Sequence, residues 1–115
     1  MLAVHLDGTF YCARAAVPAM QRRSSGSIVC ISSIVGLAGL GPIHYAAAKG
    51  GILGFVRALA RVIAPDGIRV NAVCPGVIDA GMTHAYPRDM VEAFTPQIPL
   101  GRLGTAREIA QSVAY

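Results

Sequence analysis

The sequence predicts an α/β fold organised around a parallel sheet, and three observations carry that reading. Two short apolar runs rich in β-branched residues, SIVCIS at 27–32 and IRVNAV at 68–73, have the character of strands. Segments of helical period precede, separate and follow them. Gly and Pro punctuate the joints, so the order is helix, strand, helix, strand, helix.

Each element has its own signal. Residues 1 to about 24 carry Leu2, Leu6, Phe10, Ala13, Val17 and Met20 at helical spacing, and Gly26 closes the segment. The run at 27–32 is continuously apolar, as expected of a strand covered on both faces. A glycine loop follows, with Gly36, Gly39, Gly41 and Pro42. A second helix is predicted over about 43–64, stopped by Pro65 and the Asp66–Gly67 turn. The second strand at 68–73 is broken by Pro75–Gly76. Residues 79–115 are read as loops with two shorter helices, one near Arg88–Phe94 and one from Thr105 onward. Thr105 with Glu108 three residues later forms a capping box. Both termini fall inside predicted helices, and two strands do not make a stable sheet. Residues 1–115 are therefore expected to be one incomplete domain, cut at both ends.

Composition narrows the function. Hydrophobic residues make up 54% of the chain and charged residues 14%, against roughly 25% charged in ordinary soluble domains. Such a surface expects cover, from further chain or a partner subunit. In the second helix Lys49, Leu53, Arg57 and Arg61 share one arc, while Ile52, Phe55, Val56, Leu59, Val62 and Ile63 spread over the rest. One face can cover its own sheet, and another fits a subunit interface. No apolar run approaches the ~18 residues that span a bilayer, and MLAVHLDGTF lacks the marks of a secretory signal. Cys12, Cys30 and Cys74 are an odd, isolated set, expected to be buried free thiols in a cytoplasmic protein. His5, His44 and His84 have no metal-ligand spacing, so no metal is expected. The net charge of +4 is scattered, which argues against nucleic acid.

Nine of the ten basic residues are Arg, and the only lysine is Lys49. Tyr45 stands one turn before it, on the same helical face. A cation beside a phenol favours the phenolate, so the pair suits a general acid or base. The spacing alone is common, and its surroundings give it weight. Ser32–Ser33 ends the first strand, at the sheet edge where α/β folds bind ligands. Pro75–Gly76 ends the second strand at that same edge, and Gly76 would let a ligand approach the main chain. Gly36, Gly39 and Gly41 spell G-x-x-G-x-G, which is not the dinucleotide fingerprint; a flexible turn delivering Tyr45 is the reading preferred.

The runs GSIVCISSIVGLAGLGPIHYAAAKGGILGF, IRVNAVCPGVI and IPLGRLGTAREIA together resemble the short-chain dehydrogenases/reductases over practically the whole chain. The similarity is strongest to the 3-oxoacyl-acyl-carrier-protein reductase type and to bacterial secondary alcohol dehydrogenases. The resemblance implies a partial Rossmann-type, doubly wound parallel sheet, without its amino-terminal βαβ units and its carboxyl-terminal strand. It implies hydride transfer between NAD or NADP and a small-molecule carbonyl or secondary alcohol. Tyr45 would act as general acid/base, with Lys49 supporting it and bonding the nicotinamide ribose. Ser33, at the head of the family's S-x-x-G, would orient the substrate carbonyl, with Ser32 its structural neighbour. Pro75, Gly76, Val77 and Ile78 would flank the nicotinamide, Ile78 through its main chain. Residues Met82–Phe94 would close over the substrate. Helices 1–24 and 43–64 would build a homodimer or homotetramer.

Three departures qualify this. The TGxxxGxG phosphate motif and NNAG are absent from the chain. His5 stands where the family's helix asparagine would, either as a proton-relay member beside the catalytic three or as a tolerated polar substitute. Ala80 replaces the threonine of PGxIxT, which removes one cofactor hydrogen bond. A second reading is a non-catalytic truncated fragment that offers only oligomerising helices.

Overall fold

A computed structural model describes residues 1–115. The chain forms two units, Met1–Cys74 and Pro75–Tyr115.

The first unit opens with a π-helical turn, Ala3–Asp7, that runs directly into helix α1, Gly8–Arg22. The predicted single helix is therefore wound in two ways. The Gly8 N–H reaches back to the Ala3 carbonyl, which inserts one extra residue into the first turn. Strand β1 is Gly26–Ile31 and strand β2 is Ile68–Val73, paired in parallel from Gly26 opposite Ile68 to Ile31 opposite Val73. Between them lie α2, Ile34–Ala38, and α3, Ile43–Ile63. Helix α2 replaces the front of the expected glycine loop. Its five residues are too few for a hydrophobic period to register, but its ends are well built. Ser33 caps the start by accepting from the Val35 N–H, and Gly39 closes it in the left-handed region at φ 70°.

The core lies on one face of the sheet. Cys30, Ile68 and Val70 pack there against Ile52, Val56 and Ile63 of α3, with Leu6, Val17 and Met20 at its margin. Alternation along β2 sets Arg69 and Asn71 on the opposite face, in solvent. Ile31, on that same side of β1, is 42% exposed. The strands are thus covered on one face rather than on both, because every helix of this unit that meets the core does so from one side. The expected cysteine burial also needs correction. Cys30 is buried and Cys74 half-buried, but Cys12 is exposed, since the buried residue of α1 is Ala13.

The second unit is built of turns and short helices. Helix α4, Arg88–Phe94, matches the expected position, and α5 spans Ala106–Ala114 behind the predicted capping box. An isolated parallel bridge joins Ile78 to Gly104. No helix of the chain is long and apolar enough to cross a membrane.

Candidate active site

Tyr45 lies in the first turn of α3, where its N–H bonds the Pro42 carbonyl at 3.0 Å. Pro42 suits this place because an extended residue must end the loop before the helix begins. One turn on, Lys49 is only 7% exposed. Its ammonium stands 5.8 Å from the Tyr45 ring centroid and donates to the Ile31 carbonyl at 2.9 Å. Burial lowers the Lys49 pKa below its ordinary value, because a desolvated ammonium is disfavoured. One of its three donors is used by Ile31, which leaves donor capacity for a ligand.

His5 completes the cluster. Its ring meets the Tyr45 ring edge-on, with centroids 5.9 Å apart and planes at 85°. The π-helical turn carries His5, and the Thr9 hydroxyl bonds its carbonyl at 2.6 Å. Its pKa is lowered, by desolvation first, then by the Lys49 charge and the amino terminus. His5 is therefore neutral near pH 7, able to accept through one ring nitrogen and donate through the other.

Ser33 is buried at the end of β1, and its hydroxyl oxygen accepts from the Val35 N–H at 3.1 Å. That bond leaves its O–H free to donate. Its neighbour Ser32 does something the sequence did not disclose: its hydroxyl donates to the Lys49 carbonyl at 2.8 Å. Ile31 and Ser32 thus tie the end of β1 to Lys49. The structure gathers His5, Tyr45 and Lys49 by direct contact and joins Ser33 to them through this strand end. The missed partners are a backbone carbonyl and a serine 17 residues from Lys49, and no local spacing signals either.

Two of the glycines between β1 and α3 spend their N–H groups inside the chain. The Gly36 N–H bonds the Ser33 carbonyl at 3.1 Å and the Gly39 N–H bonds the Val35 carbonyl at 3.0 Å. A Cβ on Gly36 would lie 2.5 Å from the Lys49 carbonyl carbon, so this glycine exists for close helix packing.

Pro75, Gly76, Val77 and Ile78 belong to the second unit. There the Gly104 N–H bonds the Val77 carbonyl at 3.0 Å and the Asp79 N–H bonds the Gly104 carbonyl at 2.8 Å. This pattern turns the N–H of Ile78 itself away from Gly104, while the Ile78 carbonyl accepts from the Ala80 N–H at 2.8 Å. A Cβ on Gly76 would meet nothing within 4 Å, so its backbone is approachable. In the segment expected to cover a substrate, His84 Nε2 lies 2.9 Å from Asp79 Oδ1, with both side chains exposed. No group of three or more His, Cys, Asp or Glu side chains gathers as a metal site.

Comparison with known proteins agrees across the chain. Residues 1–115 match the family model described as enoyl-(acyl carrier protein) reductase. The chain is 42% identical to the 3-oxoacyl-(acyl-carrier-protein) reductases of Salmonella typhimurium and Escherichia coli, covering 100% of itself and 48% of each. It is 41% identical to the Staphylococcus aureus protein of that name, covering 47% of it. Among solved structures, a 3-oxoacyl-(acyl-carrier protein) reductase from Brucella melitensis superposes with a TM-score of 0.90 at 37% identity. That match covers 96% of this chain and 42% of the other. The chain spans about half the length of the curated relatives it matches. It belongs to the short-chain dehydrogenase/reductase family and carries a part of that family's Rossmann-type sheet.

Proposed function

We propose that this chain is the catalytic-centre portion of an NAD(P)-dependent oxidoreductase acting on a carbonyl or secondary alcohol. The observation that carries this is the buried Lys49 ammonium, held at the strand end by Ile31 and facing Tyr45. Burying an ammonium costs stability, and a fold keeps that arrangement where the charge has work to do. Tyr45 gives a proton to the alkoxide in reduction and takes one from the alcohol in oxidation. Lys49 stabilises negative charge on the phenol oxygen while the proton moves. Ser33, with a free O–H, orients the substrate oxygen. His5, neutral and against Tyr45, is suited to relay the proton onward.

A bound NAD or NADP supplies or accepts the hydride. Each unit, taken by itself, holds residues suited to its nicotinamide end. In the first, Lys49 has spare donors for ribose hydroxyls; in the second, the approachable backbone of Gly76 and the N–H of Ile78, flanked by Pro75 and Val77, suit a planar carboxamide. The names of the 41–42% identical relatives make a 3-oxoacyl thioester the first substrate to test, with simple ketones beside it. A groove between α1 and α3, lined by Phe10, Val17, Phe55, Leu59 and Val62, supports pairing with a second copy, as a homodimer or homotetramer.

The test is Tyr45→Phe in the complete polypeptide that carries this segment. Turnover is expected to fall roughly 10²–10⁴-fold while dinucleotide affinity is retained. Full activity in that variant would overturn the assignment. The open sheet face and the half-length match favour a second reading for the 115 residues alone: a non-catalytic piece that offers its helices for association. Titration with NADPH or NADH, followed by dinucleotide fluorescence, separates the two. Saturable binding by the 115-residue chain would rule out the second reading.

A further inference from the structure

Lys49 is held by its backbone as well as by its ammonium. The Ser32 hydroxyl, 2% exposed as a residue, donates to the Lys49 carbonyl at 2.8 Å. A carbonyl in the middle of a helix already serves the helix ladder, so this second bond is not needed to satisfy it. Gly36 presses on the same peptide unit from α2. A Cβ there would lie 2.5 Å from the Lys49 carbonyl carbon, 2.6 Å from the Gly50 nitrogen and 2.7 Å from the Lys49 Cβ. Gly50 answers in kind, since a Cβ on it would stand 3.4 Å from the Gly36 carbonyl oxygen. The peptide between Lys49 and Gly50 is therefore gripped at its oxygen and across its face. The ammonium is tied to Ile31, one residue before Ser32. All three holds come from residues 31–36, the end of β1 and the start of α2.

We infer that Ser32 and Gly36 are positioning residues for Lys49, setting where its ammonium stands against Tyr45 by fixing the Lys49–Gly50 peptide to the end of β1. The inference rests on the catalytic reading for its purpose but not for its test. Ser32→Ala removes the hold on the oxygen and leaves the ladder bond of the carbonyl intact. Gly36→Ala forces α2 away from α3, because the atoms it would meet are backbone and Cβ. Either change frees the Lys49 backbone and exposes its ammonium further to water. Ser32→Thr keeps the hydroxyl and is the conservative control.

Lys49 is the only lysine, which permits a direct readout. Reductive methylation with ¹³C-formaldehyde labels its side chain and the terminal amine, and a dimethylated ammonium keeps one N–H for the Ile31 carbonyl. The methyl resonance of Lys49 is followed against pH in the 115-residue chain and in each variant. The expected result is a wild-type titration below the ordinary 10.5, in keeping with burial. It should move upward toward that value in Ser32→Ala and Gly36→Ala and stay low in Ser32→Thr. A wild-type titration at the ordinary value overturns the inference, because no desolvated position is then being maintained. So does an unmoved titration in Ser32→Ala, or a Ser32→Thr variant that behaves like Ser32→Ala. If Gly36→Ala does not fold, the serine pair still decides. Failure of the catalytic reading would show elsewhere, as retained turnover in Tyr45→Phe.

Discussion

The two units of this chain are held together by different physics. Met1–Cys74 contains every buried residue, and its stability rests on apolar packing between one face of the sheet and α3. Pro75–Tyr115 has no residue in the buried class and is organised by polar contacts at short range. Arg102 bonds both oxygens of Glu108, at 2.6 and 3.1 Å, while Glu108 also closes the capping box on Thr105. Asp79 reaches His84, and one bridge links Ile78 to Gly104. Apolar packing gives a cooperative body in which a buried lysine can be held in place. Exposed hydrogen bonds and ion pairs hold shape at low cost and release it easily.

The largest expected effect is on the packed unit. Ile52 is 2% exposed, and Ile52→Ala should cost about 2–5 kcal/mol in denaturant unfolding, with most protection of the β1 and β2 amides lost. Ile109→Ala in half-exposed α5 should cost less than about 1 kcal/mol. Equal costs would erase the contrast between the units.

Acid should separate them next, because their titrating groups lose stability in different windows. His5 has a lowered folded pKa, so the unfolded chain binds its proton first. Stability from keeping His5 neutral is present above its ordinary 6.5 and is lost as the pH falls through the lowered value. Amide exchange around the π-helical turn should rise in that range, and His5→Asn should remove the rise. Persistence of the rise in His5→Asn would place its origin in another group.

The smallest effect belongs to Glu108. Its side-chain bond to Arg102, then its bonds with Thr105, hold the carboxyl at about 2. Its contribution is complete above the ordinary 4.5 and fades as the pH falls toward about 2. The N-terminal amides of α5 should lose protection in that window while β1 and β2 do not respond to Glu108→Gln. Molar salt should weaken the same contact, since both partners lie at the surface. A response of the strands to Glu108→Gln would show the units to be less independent than their chemistry suggests.

Much of the architecture was legible because it is written at short range. Strand β2 is found at the predicted 68–73, and α4 and the Thr105 capping box stand where their local signals put them. Helix α2 was not legible, since five residues cannot display a period and Ser33 was read for its chemistry rather than as a cap. The expected cover on both strand faces was half met, because a continuous apolar run says what a strand tolerates, not what lies against it. At the site, the Tyr45–Lys49 spacing was plain. The edge-on His5 and the holds from Ile31 and Ser32 were not, for they join residues 17 to 40 positions apart.

The sequence by itself determined the order of elements, the family, and the residue types able to do acid/base chemistry. These depend on spacing along one helix or on motifs within one turn. Only the tertiary structure decided that Lys49 is buried, that its ammonium is tied to the end of β1, and that Gly36 leaves room for its peptide. The reason is physical. Burial and positioning are set by what the chain brings together across a fold, and a lysine read one turn from a tyrosine carries no record of the strand that holds it.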